Sequence, residues 1–385
     1  MTMKLNVYDT DRHVIEPLEM WRDYVDQKTC EKYPINMRHD TPQAKLERIA
    51  KVGAIGDVDL PPQYLIGQEL IINNWSEALQ IDCAHKNDES RQPRMDALFP
   101  ATQLTSMEQS GIHRASLFPT FATFIVNHQH LPADASLAYA QGYNRWLYDY
   151  CLHGDNRLTG VAMISRHDPA TMVVQLEAVL KRGWHNITLR PEPIAGRVLG
   201  HPDYNPFWQA CEANNVNVAL HGSTHLHGAT AGTERFKSLF ALHACSHPME
   251  MQMAFLSLLE SGVLERHPQL KFAFLEAGAS WVPHWLWRLD NICYPGFPRL
   301  TADNIKMLPS EYFKRQCWVT IELEEPCLLQ TIEVIGHKKL MFATDFPHPD
   351  HLEFELSSAS KICGDLTDEQ LADVLYDNAV DFYGE

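Results

Sequence analysis

No glycine-rich loop of the GxGxxG or GxxxxGK[ST] kind follows any strand-like run in this sequence. The backbone seats that such loops build for dinucleotides and nucleoside triphosphates are missing, so no nucleotide cofactor is expected. Cysteine is present but unpatterned: the nine (30, 83, 151, 211, 245, 293, 317, 327, 363) are scattered, odd in number and form no CxxC. That reads as reduced, partly buried thiols and points to a cytoplasmic location. Positive charge is short as well. Thirty-two Lys and Arg face 49 Asp and Glu, a net charge of −17, which argues against a nucleic-acid partner and against anionic membrane surfaces. A local positive pocket for an acidic substrate stays compatible with that balance. No apolar run approaches bilayer length. The opening MKLNVYDTDRHV enters a strand with no basic segment leading an apolar one, so neither membrane insertion nor export is expected.

What is present is a soluble composition, 45% hydrophobic and 21% charged over 385 residues, ample for a full core without disulfides. Short β-type runs alternate with longer helical patterns, and a parallel sheet is the natural outcome. The strand-like runs are 5–14, 114–121, 157–165, 184–191, 215–222, 270–278, 317–324 and 339–346. Helical patterns fall at about 133–151, 169–182, 203–214, from 246 onward, 281–292 and 367–383, the last announced by the capping pattern Thr367-Asp368-Glu369-Gln370. Eight strands without a composition break between halves predict an α/β fold, a single closed (β/α)8 TIM barrel spanning 1–385. The irregular, polar stretch 28–100 reads as an insertion after the first strand that caps the mouth, with some helix around 43–51 and another at 101–110.

In such a barrel the chemistry sits at the C-terminal ends of the strands. The first run ends Asp9-Thr10-Asp11-Arg12-His13, and strand alternation puts Asp11 and His13 on one face. The fifth ends in His221 and the eighth in Asp345. Singly, each has a plain alternative: an ordinary strand end, a hydrogen-bonded core histidine, a turn-starting Asp. Together, three strands bring nitrogen and carboxylate donors to one rim, which is what a metal ion needs. Other rim candidates are His247, where Pro248 opens a helix, His225 and His227 in the loop after His221, His348, and Arg190 at the end of the fourth strand. Arg190 suits a bidentate carboxylate clamp or a salt bridge. His247 suits an acid or base role or a helix cap.

The motifs DTDRHVIEP (9–17), LHGS (220–223), FLEAGASWVPHWLWRLD (274–290), ATDFPHPD (343–350) and LTDEQLADVLYDNAVDFYG (366–384) together resemble the amidohydrolase superfamily. The likeness is to the branch related to aminocarboxymuconate-semialdehyde decarboxylase and the non-oxidative aromatic-acid decarboxylases. It implies that Asp11, His13, His221 and Asp345 are metal ligands, with Asp345 also handling a water's proton. Thr188 and Arg190 stand where two-metal members use a carboxylated lysine, which implies one divalent ion. Two carboxylates with two imidazoles make manganese or iron rivals to zinc. Where decarboxylases of the branch carry a catalytic histidine in a His-x-Gly run, this chain has Glu276-Ala277-Gly278. A glutamate there would stay ionised near a cation and act as base or extra ligand. Arg288 matches a family arginine that reaches a neighbouring subunit's site, which implies a homodimer or higher homo-oligomer and a substrate contact; Trp281, Trp285 and Trp287 around it read as core and interface packing.

The resemblance favours a non-oxidative decarboxylase, a carbon–carbon lyase acting on a small aromatic or unsaturated carboxylic acid. Asp345, Glu276 and His247 would be its catalytic residues, and Arg190, Arg288 and His225 its substrate contacts. Two alternatives stay open: a hydrolase using an activated water on an amide, ester, lactone or carbon–carbon bond, and a barrel that binds metal or ligand without turnover.

Overall fold

Short runs dense in Val, Ile, Leu, Phe and Ala become strands covered on both faces, as parallel sheets under helices require. The computed structural model describes residues 5–38, 41–43, 46, 63–70, 91–222, 230–236, 239–321, 325–348 and 366–384. In chain order the strands are β1 (Tyr8–His13), β2 (Ile35–Arg38), β3 (Gln63–Ile66), β4 (Glu69–Leu70), β5 (Arg114–Phe118), β6 (Leu158–Gly160), β7 (Ala162–Met163), β8 (Asn186–Leu189), β9 (Asn217–His221), β10 (Lys271–Leu275), β11 (Cys317–Ile321) and β12 (Leu340–Phe342). β1, β5 and β6 form one parallel arc, and β7 through β12 a second in sequential order. β6 and β7 are halves of the expected third strand, broken at Val161, so the barrel has eight positions.

Just before the break, the Trp184 ring occupies the space a side chain at residue 160 would need, and only Gly160 lets the two approach. The eighth strand is also shorter than its run suggested. It stops at Phe342, so Asp345 lies beyond the ladder rather than on it. At the seam between β12 and β1, Thr10 Oγ1 donates to Phe342 O (2.7 Å), Asp345 N to Asp11 O (2.8 Å) and His13 N to Phe346 O (2.7 Å).

Side chains from alternate positions fill the barrel: Tyr8, Phe118, Val161, Ala219, Ala273, Leu275, Trp318 and Met341. Phe382 and Tyr383 of the C-terminal helical segment plug its bottom, where Asn186 Nδ2 donates to Tyr383 O at 2.9 Å. That segment runs as Asp368–Ala372, a wider π turn at Asp373–Asp377, then Asn378–Tyr383, and Thr367 and Gln370 form the expected capping box. The outer helices include Ala133–Leu152, Pro169–Leu180 and Pro248–Glu260, close to the predicted spans. Within 28–100, β2, β3 and β4 make a small antiparallel sheet. A helix at Pro100–Ser110 agrees with the sequence pattern, whereas the helix expected around 43–51 lies almost wholly outside the described residues. No helix of the described residues is long and apolar enough to cross a membrane, and the cysteines among them are free.

A buried polar lattice locks the seam. Thr344 N and Oγ1 donate to Asp9 (2.9 and 2.5 Å). Arg12 Nη1 lies 3.4 Å from Asp9, its Nε donates to Gln103 and its Nη2 to Ser106, and its guanidinium sits 3.8 Å over the Phe346 ring. Gln103 Nε2 continues to His13 O at 2.8 Å. Replacing Arg12 by Met strands Asp9 as a buried charge without its cation. We expect Arg12→Met to cost about 3–5 kcal/mol, read as a lowered urea midpoint at constant slope.

Candidate metal centre

The register of β1 decides which of its residues reach the mouth. Asp9 pairs with Ala115 and Arg12 with Leu117, so one extra residue bulges out of β1 between them. Simple alternation would set Asp9 on the same face as Asp11 and His13. The bulge instead sends Asp9 with Arg12 into the seam lattice and leaves Asp11 and His13 for the mouth. His221 closes β9, level with Leu275 of β10. Glu276, one residue past β10, and Asp345, past β12, both take left-handed backbone, each at φ 54°. That region costs a non-glycine residue about 1–3 kcal/mol, a cost that surrounding contacts must offset. Here Asp345 N is held by Asp11 O, and the Asp345 carboxylate by two imidazoles.

One ligand atom from each of Asp11, His13, His221 and Asp345 lies within 4.8 Å of the others, and all four residues are buried. His221 Nε2 stands 3.1 Å from Asp11 Oδ1 and 3.1 Å from His13 Nε2, and His13 Nε2 lies 3.0 Å from Asp345 Oδ1. The far nitrogens are engaged elsewhere: His13 Nδ1 sits 2.9 Å from Pro119 O, and His221 Nδ1 2.8 Å from Gly222 O. A carbonyl oxygen only accepts, so each Nδ1 carries the proton. Each Nε2 then turns a lone pair inward, toward the other and toward two carboxylates. Such a set repels itself unless positive charge sits at its centre. The donors therefore fit one divalent cation. Where no ion is bound, protons taken up on His13 and His221 supply that positive charge: burial would raise both carboxyls, yet these imidazoles hold Asp11 below its ordinary value, and His348 and His13 hold Asp345 well below.

Around this set stands a second ring. His348 Nδ1 donates to Asp345 Oδ1 at 2.9 Å. Glu276 Oε2 is 3.4 Å from His221 Nδ1, and Glu276 Oε1 is 3.3 Å from His247 Nε2. His247 is no solvated cap: it is buried at the junction of helices Leu239–Ser246 and Pro248–Glu260. Burial works against its charged form, but Glu276 beside it raises its pKa, and His247 in return holds the Glu276 carboxyl low despite burial.

Arg190 is buried, its Nε donating to Glu192 Oε1 at 2.8 Å. Arg288 stands exposed in the last turn of helix Trp281–Arg288, outside the cluster. His225 and His227 lie outside the described residues. Sequence reasoning missed Glu192 and Glu250, because nothing in their spacing marks a carboxylate that becomes buried near the rim. A separate cavity of about 800 Å³, lined by Arg114, Trp184, Lys271 and Tyr383, opens at the opposite end of the barrel, where the strands begin.

Fold and site thus define a class, a (β/α)8 barrel whose mouth carries a mixed Asp/His donor set. The Amidohydrolase family model matches residues 9–384, and the chain belongs to that family. It is 26% identical to the 2-amino-3-carboxymuconate-6-semialdehyde decarboxylase of Dictyostelium discoideum over 260 residues, 66% of this chain and 68% of that protein. The fold also matches a solved amidohydrolase of Mycobacterium avium subsp. paratuberculosis K-10 (TM-score 0.75, 21% identity, 100% of this chain and 99% of that one). It matches the 5-carboxyvanillate decarboxylase of Novosphingobium aromaticivorans solved with manganese and 4-hydroxy-3-methoxy-5-nitrobenzoic acid (TM-score 0.69, 18% identity, 99% and 96%).

Glu250 offers a test of the rim's electrostatics. Burial, reinforced by Glu192, pushes its carboxyl from 4.5 up to about 7, while Ala231 N donates to its Oε1. Between those values the folded state holds a proton that the unfolded chain has released, so stability falls as pH rises through that window. Glu250→Gln removes the ionisation and keeps the acceptor. We expect the variant to gain about 1–3 kcal/mol over wild type at pH 8.5 and little at pH 5, measured by denaturant melts at both values.

Proposed function

We propose that this protein is a mononuclear metal-dependent non-oxidative decarboxylase, acting on a small aromatic or unsaturated carboxylic acid. One observation carries the reading: two imidazole lone pairs and two carboxylates converge at a barrel mouth in the same family as a 26%-identical decarboxylase. Asp11, His13, His221 and Asp345 would hold the ion. When bound, a divalent ion orients substrate oxygens and steadies negative charge that develops on them. The donor balance suits manganese or iron as well as zinc.

The chain's own residues supply the rest. His348 and the backbone of Asp11 fix Asp345 in place. His247 Nε2 carries a proton against Glu276 Oε1, and this pair would serve in place of the histidine that the resemblance leads one to expect after the sixth strand. That proton goes to the substrate carbon, whose bond to the carboxylate breaks with its electron pair left behind, and carbon dioxide departs. Arg190, aligned by Glu192, and His225 are the proposed contacts for substrate charge. Trp287, Ile292, Phe297 and Leu300 are exposed apolar residues flanking Arg288, which supports assembly as a homodimer with Arg288 directed to the partner's site. A cytoplasmic location agrees with the free thiols.

A hydrolase reading draws support from Glu276, an ionised carboxylate with Oε2 buried and without a hydrogen-bond partner among the described residues. Product analysis separates the two. Protein supplied with Mn²⁺ should hold about one equivalent, His221→Ala far less, and wild type should release carbon dioxide from hydroxybenzoates. Glu276→Gln and His247→Gln should each lower kcat about 10²–10⁴-fold with metal content unchanged. Oxygen-18 from water appearing in the product of an ester or lactone, with hydroxybenzoates untouched, would replace this reading by the hydrolase.

A further inference from the structure

Away from the barrel mouth's four donors, the sequence places two histidines two residues apart, His128 and His130, in the loop between helices Ala122–Val126 and Ala133–Leu152. The fold brings a third group to them from more than fifty residues earlier in the chain: Glu69 of β4, on the antiparallel sheet of the insertion. Glu69 Oε2 lies 2.6 Å from His130 Nδ1 and 3.7 Å from His128 Nε2, and the two imidazoles face each other edge-on, 5.6 Å between centroids. One ligand atom from each of the three residues falls within 4.8 Å of the others.

We propose that Glu69, His128 and His130 form a second metal site, a zinc clip that fastens the insertion's sheet to the loop after the second barrel strand. Tetrahedral zinc with bonds of about 2.0–2.1 Å keeps its donors about 3.3–3.4 Å apart, and the two distances to Glu69 bracket that separation. Two imidazoles and a single carboxylate make a softer set than the two-carboxylate set at the mouth, which selects zinc over manganese. His128 is 1% exposed and supplies a rigid, preplaced nitrogen. Its backbone is held from behind, where the His128 carbonyl oxygen faces His167 Nε2 at 3.2 Å and His167 Nδ1 faces Ser136 Oγ at 3.1 Å. The His130 N–H to His128 Nδ1 contact, 3.4 Å, is too long to fix the proton on Nε2.

Glu69 and His130 are about half exposed, so water completes the fourth position. On binding, the ion displaces the proton shared between His130 Nδ1 and Glu69 Oε2, and that proton leaves to solvent. The site links two parts of the fold that already touch where the Tyr64 ring packs against Phe121 at 4.6 Å.

The exposed positions of Glu69 and His130 make their replacement harmless to the fold, so zinc content reads the site directly. Full-length protein is stripped with a chelator, dialysed against Zn²⁺ and analysed for metal. Wild type should hold about two equivalents, and Glu69→Gln and His130→Ala about one each, with their remaining zinc removed by adding His221→Ala. A single equivalent in wild type that Glu69→Gln and His130→Ala retain would overturn the proposal, as would two equivalents in either variant. Zinc that His130→Ala loses and His221→Ala keeps would uphold this site while refuting the ligand role of His221 at the mouth.

Discussion

Two imidazole nitrogens facing each other at 3.1 Å, between two carboxylates, set the terms for the rest of this structure. The backbone enforces that face-off: Pro119 O and Gly222 O take the Nδ1 protons of His13 and His221. Carboxylates from opposite sides of the barrel seam, Asp11 and Asp345, close on the same point. A cation at that point relieves the repulsion among lone pairs and anions, and in the low-dielectric mouth of a barrel the relief is large. Stability and ligand binding are thus two aspects of one electrostatic problem.

Holding those groups still falls to the seam. β12 is only three residues long and passes Asp345 to β1 through individual hydrogen bonds to strand-one backbone. Behind them Asp9, Arg12, Gln103, Ser106 and Thr344 satisfy one another in the interior. A fully connected lattice of this kind tolerates burial because no member is left without a partner. It also ties the helix Pro100–Ser110, which follows the insertion, to the backbone of His13. The insertion therefore touches the centre through structure, and Glu69 extends the same region toward His128 and His130.

The left-handed residues at Glu276 and Asp345 belong to the same picture. Each turns the chain sharply just past a strand, so that a carboxylate aims back over the mouth where a regular strand would point it along the rim. Glu276 reaches both His221 and His247 because of that turn. The helix junction at His247 meets it from the far side, and two groups that look unrelated in sequence become one unit.

The order of strands and helices, the barrel architecture and the candidate donors Asp11, His13, His221 and Asp345 were legible in the sequence. Hydrophobic periodicity and strand-end position are local properties, and a barrel gathers all its strand ends at one rim. The bulge in β1 and the early end of β12 were not legible, because each answers to a neighbour distant in sequence: the partner strand β5 and the β1 backbone. The same holds for the burial of Arg190 beside Glu192, for the pairing of Glu276 with His247, and for Glu69 meeting two histidines. The sequence by itself determined which residue types line up at the rim, since that depends on spacing along one strand. Tertiary structure alone decided which of them face one another and which nitrogen carries the proton, since hydrogen bonding and burial depend on partners brought from elsewhere in the chain.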